Sequence, residues 1–220
     1  MTDLLVKGGP VLVVILALSA VSLAFALERL YHVRRAKKDH QVLMDLIVGT
    51  LEEEGAEAAR RAAASFGGPV AAVLEGGLEA WISGNKTFQQ GMEGREQTEF
   101  ARLEKHLDII ALTADLAPLL GLLGTVTGMI DTFSVFSSHG MQQPMLLAGG
   151  ISEALITTAA GLMVAIFNLA AYHYLTKQID QLILESETCG MELQDLLQKR
   201  GRQRVSTSAQ AAQNQHGAPN

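Results

Sequence analysis

Cysteine and metal-binding patterns are scarce in this chain of 220 residues. The single cysteine, Cys189, excludes an intramolecular disulfide and lies in a polar stretch, so we expect a reduced, inert thiol. The six histidines form no i,i+4 pair, and no HExxH motif is present. Because no nucleophile–base pair is recognisable either, we predict no metal site, no cofactor and no enzymatic activity.

Aromatic residues and positive charge are also in short supply. Aromatic residues make up 5% of the chain although hydrophobic residues make up 48%, so the excess is aliphatic and alanine, as in membrane helices. The net charge is −6 and no basic stripe is present, which argues against a nucleic-acid partner. No alternating strand pattern occurs, and the predicted fold class is therefore all-α.

Three apolar segments are each long enough to cross a bilayer, which takes about 20 residues. The first, Gly8 to Leu27, contains no charge and carries Pro10 in its first turn. A secretory signal peptide is the competing interpretation, but the run is too long and Glu28-Arg29-Leu30 makes a poor cleavage site. We predict an integral membrane protein with three transmembrane helices, the first of them retained.

The distribution of basic residues predicts the orientation. Only Lys7 precedes the first segment, whereas five basic residues follow it, namely Arg29, Arg34, Arg35, Lys37 and Lys38. The positive-inside rule then places the N-terminus outside and the following region in the cytoplasm. The loop before the third segment has no Lys or Arg and is expected outside. The predicted topology is N-out and C-in.

Long cytoplasmic helical extensions are predicted between and after the spans. The regions in chain order are a periplasmic N-terminus with the first span (1–30), a cytoplasmic helical region (31–106), the second span (107–136), a short periplasmic loop (137–145), the third span (146–176), a cytoplasmic C-terminal helix (177–200) and a disordered tail (201–220). Within the cytoplasmic region, Gly67-Gly68-Pro69 and Ser83-Gly84-Asn85 are expected to interrupt the helices. We expect the charged helix beginning near Thr87 to run unbroken into the second span.

Small residues punctuate the second apolar segment between Ala117 and Ile130. Two pairs of small residues stand four apart there, so each pair offers a surface on which a neighbouring helix backbone can settle. The predicted packing residues are Gly121, Gly124, Gly128 and Pro118, together with Gly161 in the third segment. Pro118 should also kink the helix. The Thr125 hydroxyl lies at membrane depth, where a polar group needs a partner, a water or a passing ion.

Polar side chains also enter the third segment. Glu153 is its one carboxylate, with Thr157 one turn further on the same face and Thr158 about 100° around the helix. Glu153 is either a hydrated or interhelical residue near the outer end or a polar station on an ion path. The threonines either bond back to the backbone or line such a path, and spacing leaves these alternatives open.

Two stretches carry a resemblance to a known family. Ala117 to Ile130, followed by Phe133, and Gly150 to Leu162 resemble the second and third transmembrane helices of the MotA/TolQ/ExbB proton-channel family, most closely its ExbB/TolQ branch. The resemblance implies a hydroxyl-lined pore. The matching positions are Thr125 and Thr158, with Glu153 as the matching carboxylate, and the predicted proton pathway also includes Thr157 on the same face as Glu153.

The resemblance further implies a homo-oligomeric ring, typically a pentamer, around an ExbD/TolR-type single-span partner whose aspartate carries the proton. The expected function is that of an ExbB-like stator subunit in the bacterial inner membrane, which couples the proton motive force to a TonB-type protein for energised outer-membrane import. The alternatives are a TolQ-like subunit that acts with a TolA-type protein in envelope constriction, and a non-conducting scaffold. Two departures from the family pattern are Thr127, where Trp is frequent, and Phe167, where many relatives have proline.

Overall fold

A computed structural model describes residues 9–139 and 144–216, and this part of the chain is helical without any strand. The helices are α1 (Gly9–Ala36), α2 (His40–Glu53), α3 (Ala56–Phe66), α4 (Pro69–Ser83), α5 (Phe88–Glu104), α6 (Leu107–His139) and α7 (Pro144–His216). Three helical stretches of the described residues are long and apolar enough to cross a membrane. They fall in α1, α6 and α7. The predicted all-α fold with three spanning helices is confirmed.

The chain divides into two compact units. The first, here called the membrane unit, comprises residues 9–34, 103–139 and 144–178 of the described chain and contains the apolar parts of α1, α6 and α7. The second, here called the polar unit, comprises residues 35–102 and 179–216. Each unit has its own packing.

The membrane unit buries one side of each apolar helix and leaves the other side open. Ile15 of α1, Ile110 and Ala117 of α6, and Ala154 of α7 are buried. Large apolar side chains point away from this core, and Phe167 is 70% exposed. In water such surfaces would be unfavourable, whereas lipid or another membrane helix covers them without cost.

The polar unit is built from α2 to α4, most of α5 and the distal part of α7 around large buried side chains. Leu74 and Leu78 of α4 and Leu193 of α7 have no accessible surface, and Phe88 of α5 is nearly as buried. The expected interruptions occur where they were predicted. Pro69 begins α4 after two glycines with positive φ, and Gly84 ends it in the left-handed conformation.

The predicted continuity between the charged helix and the second span is wrong. Helix α5 ends at Glu104 and α6 begins at Leu107, and between them His106 adopts a φ of 69°. A residue in this left-handed region stops a helix, and histidine tolerates the conformation better than most residues. The His106 ring lies 4.5 Å from the Phe25 ring between centroids, and its Nδ1 lies 3.8 Å from Oε2 of Glu28. Side-chain contacts with α1 therefore hold the break, which no local pattern revealed.

Helix α7 is longer than predicted. It continues to His216, so most of the segment 201–220 predicted to be disordered is helical. The segment is rich in alanine and glutamine and has no proline before residue 219, which suits helix propagation. At the loop predicted for 137–145, α6 extends to His139 and α7 starts at Pro144, while residues 140–143 lie outside the described chain.

Candidate functional site

The candidate site lies where α6 and α7 pack against each other through small residues. The contacts run antiparallel along the two helices and pair Ala117 with Gly161, Gly121 with Thr158, Gly124 with Thr157, Gly128 with Ala154, and Thr132 with Gly150. We call these ten residues the glycine interface. The pairing follows from the sequence, because small residues recur every three or four positions on each helix and so form one continuous stripe.

The helices approach so closely in the glycine interface that most of its glycines have no room for a side chain. A Cβ at Gly121 would lie 3.1 Å from the Cα of Thr158, and one at Gly128 would lie 3.0 Å from the Cβ of Ala154. At Gly161 a Cβ would collide with the carbonyl oxygen of Ala117, which is backbone and cannot move aside cheaply. This geometry depends on glycine, and it brings polar backbone groups of one helix within reach of the other.

Thr158 uses that proximity. Its Oγ1 donates a hydrogen bond of 2.7 Å to the carbonyl oxygen of Gly121, so it joins α7 directly to α6. The residue is partly buried. In a bilayer interior no water is present to bond the hydroxyl, so the neighbouring helix supplies the acceptor. Such a bond contributes about 1 kcal/mol to helix association.

Thr157 and Thr125 donate to carbonyl oxygens of their own helices. The Thr157 hydroxyl bonds to the carbonyl oxygen of Glu153 at 2.9 Å, while its methyl group packs on Gly124. The Thr125 hydroxyl bonds to the carbonyl oxygen of Leu122 at 2.6 Å and remains partly exposed. A hydroxyl that donates a hydrogen bond can also accept one, for example from water. The arrangement of these hydroxyls therefore permits a relay of protons through bound water but does not require one.

Glu153 points elsewhere. Its side chain is partly buried, and the Oε1 oxygen lies directly against Gly9 at the start of α1. The sequence placed Glu153 and Thr157 on one face of the helix, and the structure divides that face between two neighbours. Thr157 faces α6, and Glu153 faces α1.

The remaining predicted residue, Pro118, lies inside α6 and is partly buried, one residue beyond Ala117 of the glycine interface. Helix α6 continues through it from Leu107 to His139. Asn168 of α7, which is buried, donates at 2.8 Å to the carbonyl oxygen of Val164 in its own helix.

The sequence analysis did not single out Thr132, a member of the glycine interface, or Gly9, which lies outside that interface. Thr132 is buried and donates at 2.7 Å to the carbonyl oxygen of Gly128, and it contacts Gly150. A signal was available, since Thr132 extends the spacing of four that relates Gly124 to Gly128. Gly9 had no such signal, because its partner Glu153 is distant in the chain.

No group of three or more His, Cys, Asp or Glu side chains within residues 9–139 and 144–216 is arranged to hold a metal ion. The glycine interface instead presents hydroxyls, backbone carbonyls and tightly packed helices. These are features of closely associated transmembrane helices. The class defined by fold and site is thus that of a polytopic helical membrane protein.

Comparison with known proteins identifies the family. The sequence model of the MotA/TolQ/ExbB proton channel family matches residues 68–188, more than half of the chain and all of the glycine interface. A protein of Synechocystis sp. described as biopolymer transport protein ExbB-like 1 is 36% identical over 201 residues, which cover 87% of this chain and 77% of the relative. This chain belongs to the MotA/TolQ/ExbB proton channel family.

Relatives from both branches are found. The biopolymer transport protein ExbB of Aquifex aeolicus is 35% identical over 111 residues, which cover 50% of this chain and 74% of that protein. The Tol-Pal system protein TolQ of Haemophilus influenzae is 37% identical over 82 residues, which cover 37% of this chain and 36% of that protein. The chain is therefore a membrane protein of a proton-channel family, similar to ExbB and TolQ proteins alike.

Proposed function

We propose that this chain is an ExbB-type, proton-conducting stator subunit of an inner-membrane motor complex. In this proposal it couples the proton motive force to a TonB-type protein and so energises import across the outer membrane. Membership of the proton channel family and the similarity to proteins named ExbB over most of the chain support it. The observation that carries it is the glycine interface, in which the hydroxyl of Thr158 links the two helices that hold the pathway residues.

The proposed pathway uses Thr125, Thr157 and Thr158 as hydroxyl stations. Each donates to a carbonyl oxygen, and in this proposal its oxygen accepts a hydrogen bond from water or from a hydrated proton that passes along the helices. A proton that crosses a potential of 100 mV releases about 2.3 kcal/mol, comparable to two interhelical hydrogen bonds. Transfer of one proton is thus enough to shift a contact such as that between Thr158 and Gly121.

The proposal also assigns partners. Only Glu153 places a carboxylate inside the apolar part of α7, and it faces α1, so the acid that takes up and releases the proton is expected from a second protein. We propose an ExbD/TolR-type single-span partner inside a homo-oligomeric ring of this chain, with five copies as the expected number. The open apolar faces of the spanning helices offer surface for such neighbours and for lipid.

Two other functions remain as alternatives. A TolQ-type subunit that acts with a TolA-type protein in envelope constriction is favoured by the similarity to the Haemophilus TolQ protein. A non-conducting scaffold is favoured by the hydrogen bonds themselves, since all three threonine hydroxyls already have carbonyl acceptors and packing alone accounts for them. Both alternatives keep the fold and the glycine interface.

Proton flux into liposomes separates these functions. The full chain is reconstituted alone, with an ExbD-type partner or with a TolR-type partner from the same source, and internal pH is followed under an imposed potential. We expect flux that needs the ExbD-type partner, falls at least about tenfold with Thr158→Val, and is largely kept with Thr158→Ser, because serine retains the donor.

The matched control is Thr127→Val. Thr127 lies on α6, is exposed, and donates to the carbonyl oxygens of Leu123 and Gly124 within its own helix, so removal of its hydroxyl leaves the glycine interface intact. Flux that needs only the TolR-type partner would move the assignment to the TolQ branch. Complexes that form but stay impermeable to protons and to sodium would support the scaffold.

A further inference from the structure

The start of helix α1 is in direct contact with the carboxylate of Glu153 in α7. Gly9 opens α1 with a φ of +63°, a conformation that few residues other than glycine adopt. The position that a Cβ would take at Gly9 is already filled by Oε1 of Glu153. The backbone conformation favours glycine at this position, and a larger residue there would displace the Glu153 carboxylate.

The surroundings of Glu153 make this contact a junction of three helices. Glu153 and Gly9 both belong to the membrane unit. One turn further along α7, Thr157 packs on Gly124 of α6 and donates to the backbone carbonyl of Glu153. Two successive turns of α7 thus contact two helices: the Glu153 carboxylate touches α1, and the Thr157 methyl group touches α6.

Electrostatics favour a carboxylate at this place. The first N–H groups of a helix lack intrahelical acceptors and carry partial positive charge. Helix α1 has no acidic residue in its own first turn, so its start has no negative partner from its own sequence there. The Glu153 carboxylate lies against this helix start and, when ionised, supplies negative charge from α7.

We propose that Glu153 is a positioning residue of the channel, whose carboxylate holds the start of α1 against α7 while the ion path runs through the threonine hydroxyls. This inference rests on the proposed function for its meaning and gives Glu153 a role other than the pathway position predicted from the sequence. The contact itself stands independently of what the protein conducts. Its loss would leave α1 loosely attached and would disturb α7 at the turn that bears Thr157.

Cysteine cross-linking tests the contact without reference to flux. In full-length protein with Cys189→Ser, the pair Gly9→Cys and Glu153→Cys is oxidised in membranes and examined by denaturing electrophoresis and mass spectrometry. We expect a disulfide within one subunit. The control pair places the second cysteine at Leu155, which is 63% exposed and lies on another face of α7, and it should not cross-link within the subunit. Equal cross-linking of both pairs, or of neither, would overturn the inference.

Flux measurements then test the role. We expect Glu153→Ala to lower partner-dependent flux about fivefold and Glu153→Gln to restore most of it, since an amide oxygen still accepts from helix N–H groups but cannot carry a proton. The dependence of flux on outer pH should be the same for the wild type and Glu153→Gln. Suppose that the cysteine pair forms its disulfide, but Glu153→Gln is as impaired as Glu153→Ala or has a displaced pH profile. That result would show that Glu153 carries protons. If the wild type conducts no protons, the proposed function fails while the cross-link still decides the contact.

Discussion

The two units of this protein hold their helices together in different ways. In the membrane unit, α6 and α7 meet through glycine, alanine and threonine, and the backbones themselves are in contact. In the polar unit the buried positions are mostly large side chains, among them Ile47, Leu74, Phe88 and Leu193. Gly77 there lies against a ring atom of Phe88 and so makes room for a large side chain, although Gly76 packs closely on the backbone of Gly91.

The difference follows from the solvent. In water, removal of large apolar surface supplies most of the driving force for folding. Lipid offers no such gain, because its chains are as apolar as leucine, and helices associate through close van der Waals contact and interhelical hydrogen bonds. The surfaces agree with this explanation. The polar unit carries ion pairs such as Arg60 with Glu75 at 3.1 Å and Arg95 with Glu79 at 3.4 Å, whereas the open faces of α6 and α7 are apolar.

The largest expected effect comes from loss of volume in the polar unit. Phe88→Ala should lower the free energy of unfolding by about 3–4 kcal/mol, because it removes a ring that is 1% exposed and leaves a cavity beside Gly77. Detergent-solubilised full chain would be unfolded by denaturant titration. The matched aromatic control is Trp81→Ala, at a residue that is 40% exposed, with an expected change below about 1 kcal/mol. Equal losses at both positions would contradict this description of the core.

The converse substitution should disturb the membrane unit. Gly161→Ala adds one methyl group against the Ala117 carbonyl oxygen, and we expect a loss of about 2 kcal/mol together with weaker assembly. Melting temperature in lipid nanodiscs and the yield of assembled complex would measure it. Gly149→Ala is the control on the same helix, because a Cβ there meets nothing within 4 Å. A Gly161→Ala protein as stable as the Gly149→Ala protein would mean that the helices do not approach as described.

The smallest expected effect depends on pH and concerns the polar unit. Burial raises the pKa of the Glu96 carboxyl above its ordinary value of 4.5, and the carboxylates of Glu187 and Glu93 add to the effect. A raised native-state pKa means that the stability contributed by protonated Glu96 is fully present below 4.5 and is lost as the pH rises through the raised value. Glu96→Gln should therefore stabilise the protein at pH 7 by roughly 0.5 kcal/mol, a modest figure because the group is largely solvated.

The gain from Glu96→Gln should shrink as the pH is lowered toward 4.5. Melting temperatures of the variant and the wild type across that range would measure it, with Glu53→Gln, at an exposed position, as the comparison. If Glu96→Gln stabilised the protein equally at every pH, the cause would be the change of side chain and not the ionisation of Glu96.

Several features could be predicted because their signals are local. The length of each apolar run indicates a spanning helix, since the bilayer thickness sets that length. Gly67, Gly68 and Gly84 marked helix ends because glycine alone adopts positive φ freely. The spacing of Gly121, Gly124 and Gly128 indicated a packing surface before any partner was known, and the structure places Thr158, Thr157 and Ala154 opposite them.

Other features depend on residues that are far apart in the sequence. The break at His106 is held by Phe25 and Glu28 of α1, so the charge pattern of α5 could not show it. The side of α7 that Glu153 occupies was predictable from helical periodicity, but its contact with Gly9 was not. For Thr158 the spacing left open whether the hydroxyl bonds back to the backbone or lines an ion path, and the approach of α6 makes the Gly121 carbonyl its acceptor.

The sequence by itself determined the all-α class, the three spanning helices and the stripe of small residues. These follow from chain geometry, bilayer thickness and glycine's freedom, all of which act over a few neighbouring residues. The tertiary structure alone decided which helix each polar group faces. That outcome depends on how three helices share limited space, because a carboxylate or hydroxyl in an apolar setting takes whichever polar backbone the packing brings within reach.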